Sequence, residues 1–530
     1  MRKLLFLFLS FIVEIGYAQS SIVSVEVDSN YNNWGWKSIV LTNGLITFAT
    51  MPAIGARVMQ YDLGNLASLY VNTDKSIIGK TYTPAQNGNW YNFGGFKTWP
   101  APQSRWPGTW PPPPTLDYGN YTFQIDSLYP DQAQAAVSVS SPTEKWIAPN
   151  IRFGRTATAF SGTSRIRMDQ TIINVGSVDT NWGVWGISQS IVNHPGKKDY
   201  QNYWVYFPIN PHSVYGPSGV SPQGASAAWK GEIAPGIYGV QFSPDNQKIY
   251  ADPDKGWIAY SNASDTVVFA KTFDIFEGEH YPDSARISVY VSGSVAPIYL
   301  EVEVKGPMVQ LAASGGSYTF TENWWAAKVR GPVLSVDSVG AVAKKLALNL
   351  STKQLSGIYG VFFQGTAKIV FVGGTGEILG MGTPQPISPL QEFQFQDSTV
   401  VPSGAVAAQL RIYDGNGFFV GILDTASAAQ LIAAVSPAVS LKPTNFYLSP
   451  SYPNPFNGGT VLTVHISSSA RGSLKIYDVL GRLVATLVEG ELTAGVHHFV
   501  WNPERAASGI YIARFEASGI HQIQKLMYLR

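Results

Sequence analysis

Residues 298–304 read Ile298-Tyr299-Leu300-Glu301-Val302-Glu303-Val304. Leu300, Val302 and Val304 alternate with Glu301 and Glu303, and a two-residue period puts the aliphatic side chains on one face of a strand and both carboxylates on the other. The same pattern recurs in both directions. Ser38 to Ala49, Tyr121 to Ile125, Ala135 to Val139, Arg165 to Ile173, Thr266 to Phe273 and Arg286 to Val291 each alternate β-branched or aromatic residues with polar ones, and Gly, Pro, Asn or Asp bound them. Between Ser21 and about Arg330 no long stretch has a 3.6-residue period. More than a dozen strands without crossover helices predict a large antiparallel sandwich.

Composition sets limits on function. The chain has 530 residues, of which 45% are hydrophobic, enough for several cores and too many for general disorder. At about 150 residues per domain the length suggests three or four units. Lys plus Arg is 36 against Asp plus Glu 35, a net charge of +1. No basic excess is available to neutralise a phosphate backbone, so nucleic acid is not expected as a partner. Cysteine is absent, which removes disulfides, thiolate metal sites and cysteine nucleophiles. No G-x-S-x-G elbow, phosphate-binding glycine loop or H-E-x-x-H is present, and no cofactor or metal is expected. Asp252-Pro253-Asp254-Lys255-Gly256 lacks the later ligands of a calcium loop and reads as a turn.

Both ends read as addresses. Met1-Arg2-Lys3, the apolar run Leu4 to Val13 and the small residues before Gln19 form a secretory signal peptide over 1–18. No later segment reads as a transmembrane anchor. Near the other end stand YPNPFN (452–457), IYDVLGRLV (476–484), GVHHFVWN (495–502), ASGIYIARF (507–515) and QKLMYLR (524–530). These runs, in this order, closely resemble the C-terminal sorting domain of the type IX secretion system. The resemblance covers residues 448–530 and implies an immunoglobulin-like sandwich that engages the secretion machinery, with export to the cell surface or beyond. His465, His497 and His498 fall on its strands and read as packed or solvated side chains. Before it, residues 331–435 hold short strands and Gly-rich turns without Trp, an accessory β-sandwich, and 436–447 a linker.

Function is expected in residues 19–330, where fourteen of the fifteen Trp lie. Trp90 to Tyr118 is the densest aromatic stretch, and its seven prolines from Pro100 to Pro114 predict a rigid loop without ladder pairing. Such a loop suits a sugar: aromatic faces cover the C–H face of a pyranose while amide, ammonium and carboxylate groups bond its hydroxyls. The competing reading is that these rings plug one end of the sandwich. The order Pro52-x-x-Gly55-x-Arg57, then Asn92-Phe93-Gly94-Gly95-x-Lys97-x-Trp99-Pro100-Ala101-Pro102-Gln103, then WPPPP and Leu116-Asp117, resembles an uncharacterised bacterial family related to the aldose 1-epimerases. Tyr299 to Glu303, Gly306-Pro307, Tyr318 and Trp324 are similar to the closing strands of the galactose mutarotase-like fold. The resemblance implies an all-β supersandwich, followed here by two small sandwiches, with carbohydrate as partner.

In the epimerases a Glu base and a His acid act at the anomeric carbon. The resemblance puts Glu301 at the base, with Glu303 on the same face, and a carboxylate buried there is expected to be raised toward the working pH. Gln189 stands near the acid's position; His212, His194 and His280 are the other candidates for it. Arg57, Asn92, Lys97, Trp99, Gln103, Trp106, Trp110 and Gln189 are the candidate substrate contacts. A non-catalytic glycan-binding, adhesion or structural surface protein is the alternative. A polysaccharide lyase, with Lys97, Tyr91, His212 or Lys271 as base or cation, is a further one.

Overall fold

The alternating segments pair into two large antiparallel sheets. The computed structural model describes residues 22–529 except 84–89, 129–132, 193–198, 225–228, 350–351, 428–446, 449–450, 452–453, 467, 494 and 504–505. The signal peptide, all but the last residue of the linker, and His194 therefore lie outside the described residues. Nine strands carry the site: β1 (Arg57–Leu63), β2 (Phe96–Ala101), β3 (Ile166–Asn174), β4 (Thr180–Ser190), β5 (Gln247–Ala251), β6 (Val267–Phe273), β7 (Ile287–Ser292), β8 (Tyr299–Lys305) and β9 (Ser317–Lys328). One sheet has twelve strands and includes the order β1-β2-β4-β8-β7-β5; the other has ten and includes β6-β9-β3. Leu300, Val302 and Val304 of β8 are fully buried between the sheets with Ile287, Val289 and Val291 of β7.

The Trp-rich stretch departs from the loop expected for it. Phe96–Ala101 is a strand that pairs with β4 from Phe96↔Ser188 to Ala101↔Gly183, with Pro100 opposite Val184. Its pairing with β1 ends at Val58↔Phe96. Because the β4 ladder continues past Pro100, the missing N–H falls on the open β1 side and costs no ladder bond. Gly94 and Gly95 deliver the chain into β2. Both have left-handed φ (+89° and +69°), and a Cβ on either would lie 2.3 Å from a carbonyl oxygen, of Tyr70 and Val58 respectively. After β2 the chain runs through a turn at Gln103–Arg105 to a five-residue helix, Pro114–Tyr118.

Two smaller pairs of sheets follow. Four strands pack against five around Leu346, Tyr359, Phe371, Phe395 and Leu410; beyond them three pack against four around Leu474, Ile476, Trp501, Phe515 and Leu526. A separate apolar cluster, with Trp257, Trp325, Val329, Val333 and Phe362, joins the first unit to the second. Among the described residues no helix is long and apolar enough to cross a membrane.

Candidate functional site

Antiparallel register turns the outward face of the larger sheet into a grid. Lys248, Tyr290, Glu301 and Gln189 stand in one row across β5, β7, β8 and β4. The next row carries Tyr250, Ser288, Glu303, Ile187 and Lys97, and a third brings Lys305, Trp185 and Trp99 side by side. The long lysine and glutamate side chains reach diagonally across one intervening strand, β4 between Lys97 and Glu301 and β7 between Lys248 and Glu303, so opposite charges in this grid meet. Lys97 Nζ lies 2.9 Å from Glu301 Oε1, which also accepts Gln189 Nε2 at 3.1 Å. Lys248 Nζ pairs with Glu303 Oε1, while Trp185 Nε1 donates to Glu303 Oε2 at 2.9 Å. Lys305 Nζ lies 2.7 Å from Asp283 Oδ2 and 5.1 Å from the Trp185 ring.

Over this face opens a cavity of about 350 Å³, lined by Trp90, Trp99, Gln103, Trp110, Trp185, Lys248, Tyr250, Tyr290, Tyr299 and Glu301. Its aromatic wall hangs on Asp117 of the short helix. That carboxylate accepts Trp99 Nε1 at 2.8 Å, Trp90 Nε1 at 3.1 Å and the guanidinium of Arg57 at 2.6 Å. Trp99 meets Trp106, Trp110 and Trp185 edge-on at 5.5, 6.2 and 5.6 Å, the geometry that ring quadrupoles favour. Trp110 is 45% exposed and forms the outer lip.

Electrostatics fix the protonation of this wall. Burial pushes the Glu301 carboxyl up, but the ammonium groups of Lys97 and Lys248 and the bonds from Lys97 and Gln189 outweigh it, so its pKa is lowered. This is the opposite of the raised base expected from burial alone: burial raises a carboxyl only where no cation is buried with it. Lys97 is itself lowered by burial, against the pull of Glu301. Burial raises Tyr290 and Tyr299 and pushes Tyr250 up to about 12, with nearby carboxylates adding to it. At neutral pH the cavity therefore offers an ionised carboxylate, an ammonium and protonated phenols. Glu301 Oε1 is taken, and Oε2 has no hydrogen-bond partner among the described residues.

The sequence candidates separate into three groups. Trp99, Gln103, Trp110 and Glu301 line the cavity. Lys97, Gln189 and Glu303 are buried just behind it and touch its lining residues Glu301, Lys248 and Trp185. The others stand elsewhere. Arg57 is fully buried on Asp117, because a guanidinium inside the fold needs a carboxylate partner. Asn92 is spent on its own turn, its Oδ1 accepting the Gly94 N–H at 3.2 Å. Trp106 is a core ring whose Nε1 donates to the Pro100 carbonyl at 3.1 Å, as the plug reading has it. His212 and His280 are exposed and do not line the cavity. Lys271 is fully buried between the sheets, 3.0 Å from Glu322, and Tyr91 is stacked on Tyr82.

Sequence reading did not single out Trp90 as an individual lining residue, nor Trp185, Lys248, Tyr250, Tyr290 and Tyr299. Their signal was present in part: Lys248 and Tyr250 alternate with Ile249 and Ala251, so they share a face, but only the strand order sets that face beside Glu301. Asp252, in the segment read as a turn, accepts the Val214 N–H at 3.0 Å. Among the described residues no three His, Cys, Asp or Glu side chains are grouped to hold a metal ion.

Fold and site together describe an all-β protein with an aromatic, ion-paired cavity on its larger sheet and a separate small sandwich at its end. Residues 451–528 match the family described as secretion system C-terminal sorting domain. The protein is exported by type IX secretion, to the cell surface or beyond. No curated protein matches the chain. Among solved structures it is similar to Slr1438 protein from Synechocystis sp. PCC 6803 (9% identity, TM-score 0.36, 61% of this chain and 100% of the other). It is also similar to a galactose mutarotase related enzyme from Lactobacillus acidophilus (8%, 0.36, 55% and 98%), and to a galactose mutarotase-like protein from Clostridium acetobutylicum (12%, 0.35, 58% and 99%).

Proposed function

We propose that this exported protein binds carbohydrate in the cavity above Glu301. The observation that carries the reading is the lining itself: four indoles and three phenols surround one ionised carboxylate and one ammonium. Ring faces suit the apolar side of a pyranose, and Glu301 Oε2, Lys248 and the tyrosine hydroxyls suit its hydroxyls. The volume falls in the usual range for a small-ligand pocket, about 300–1,000 Å³.

Binding without turnover is the form the cavity supports best. A base held below the ordinary carboxylate range is a weak proton acceptor at neutral pH. None of the described histidines lines the cavity, both oxygens of Glu303 are occupied, and among the described residues no second carboxylate lines the cavity beside Glu301 for glycoside hydrolysis. A glycan and polysaccharide binding screen on the full chain, followed by reducing-end and unsaturated-product assays on each hit, tests this. We expect hits without product. Trp110→Ala should weaken a hit about tenfold, the order of one stacked ring at 1–2 kcal/mol. Glu301→Gln should weaken it by about 1.5–3 kcal/mol, the worth of a charge-assisted hydrogen bond. Because the Glu301 pKa is lowered, it stays ionised above the ordinary carboxylate range. Affinity should therefore be flat from about pH 5 to about pH 8 and fall only in acid. Product that disappears in Glu301→Gln would make the protein an enzyme instead; no glycan binding at all would leave the aromatic wall as packing.

A further inference from the structure

We propose that the cavity selects an uncharged sugar ring and rejects the matching uronate and 2-amino sugars, because Lys248 of its lining and the two ammonium groups buried behind it are each already paired with a carboxylate. This deepens the carbohydrate reading and rests on it. The three pairs are Lys97–Glu301, Lys248–Glu303 and Lys305–Asp283. They sum to zero charge. The side chains of Lys97, Glu303 and Lys305 are 3%, 0% and 0% exposed, so these charges have almost no water to fall back on.

A uronate carboxylate entering the cavity would have to share Lys248 with Glu303. Two carboxylates, one of them the fully buried Glu303, would then face one ammonium, and the neutral cluster would hold a buried negative charge without a counterion, which is strongly unfavourable. An amino sugar faces the mirror problem: its ammonium on Glu301 Oε2 would put two ammonium groups on one carboxylate and leave the neutral cluster with a buried positive charge that has no counterion. A hydroxyl displaces nothing. It donates to Glu301 Oε2, or accepts from the Tyr250, Tyr290 and Tyr299 hydroxyls, while all three ion pairs stay closed and the cluster stays neutral. Lys248 is also held under three rings, 5.0 Å from Trp185, 5.8 Å from Tyr250 and 5.7 Å from Tyr290, contacts it would lose by following an incoming anion. The same closure argues against a lyase acting on uronates, which needs a cation free to neutralise the substrate carboxylate.

The test is calorimetric titration of the full chain with linkage-matched gluco- and galacto-trisaccharides in neutral, uronate and 2-amino forms. Within whichever series binds, the neutral member should bind at least tenfold more tightly than both charged ones. A charged member binding as tightly as its neutral counterpart would overturn this inference and leave carbohydrate binding standing. If neither neutral nor charged members bind, the carbohydrate reading falls and takes this one with it. Two variants then locate the cause. Glu303→Gln frees Lys248, so the uronate-to-neutral affinity ratio should rise at least tenfold. Lys248→Met leaves the two carboxylates facing one ammonium, so the amino-to-neutral ratio should rise instead. Should the buried Glu303 site not tolerate Gln, Lys248→Met, whose side chain is 18% exposed, carries the test alone. Ratios unchanged in folded variants would overturn the ion-pair origin of the selectivity.

Discussion

Asp117 shows how one side chain can serve both fold and cavity. Its carboxylate is fully buried, yet it satisfies the Arg57 guanidinium and the indole N–H groups of Trp90 and Trp99 at once. Removing the charge leaves Arg57 buried without a counterion, a change that typically costs about 3–5 kcal/mol when one partner of an internal pair is lost. Asp117→Asn should therefore lower the melting temperature by several degrees. Since Asn keeps only one acceptor oxygen, it should also loosen one indole and weaken any glycan bound in the cavity. Near-ultraviolet circular dichroism reads the indole environment and calorimetry reads the affinity. A variant with wild-type melting and an unchanged indole spectrum would sink the assignment. Sequence inspection singled out both Arg57 and Leu116-Asp117 as parts of one motif, but 60 residues separate the ion pair, and nothing in the spacing distinguishes a residue that touches ligand from one that anchors the wall behind it.

At the scale of the strand, alternation was the legible quantity. β8 faces its aliphatic residues inward and its two carboxylates outward as the period-two pattern requires. What alternation lacks is neighbour identity. Lys97 and Glu301 are 204 residues apart, and they meet only because β2 and β8 both flank β4. That order is set by long-range packing of the sheet, not by any local signal. Proline count likewise misled over Phe96–Ala101, since it ignores whether a strand has a partner on the side that loses its N–H. β1 offers a pH test of the same outward-face logic. Asp62 Oδ2 accepts Gln60 Nε2 at 2.6 Å on that face, and burial, opposed by this bond, raises its pKa to about 6. The folded state holds the proton more tightly than the unfolded one. The stabilising contribution is thus present below the ordinary carboxylate pKa and is lost as pH rises through about 6. Asp62→Asn cannot ionise, so its melting temperature should match wild type near pH 4 and exceed it near pH 8. Equal offsets at both pH values would refute the shift.

At the scale of the whole molecule the question is which units can be parted. The sorting domain has its own core around Leu474, Ile476, Phe515 and Leu526. The second sandwich is bound differently. Trp325 of β9 stacks on Phe362 at 5.0 Å and 17°, inside a cluster where Trp325 is 2% exposed and Val329, Val333 and Phe362 are fully buried. Backbone bonds reinforce it, with the Ser164 N–H donating to the Phe362 carbonyl at 3.0 Å and the Gln364 N–H to that of Gly162 at 2.8 Å. Ending the chain at Arg330 would expose this cluster, and each large apolar side chain returned to water costs about 1.5–3 kcal/mol. Because Trp325 lies on the same strand that pairs with β3 and β6, the damage reaches the main sandwich. A chain stopped after Arg330 should therefore aggregate or melt well below the full protein. A chain stopped after Ser427 keeps both sandwiches and should retain the melting temperature and cavity affinity while losing export. Size-exclusion chromatography and thermal melting of the two truncations, with fractionation of cells expressing the longer one, separate these outcomes. A shorter chain that is monomeric and melts with the full protein would mean that the second sandwich is a passenger rather than part of the scaffold that holds the cavity.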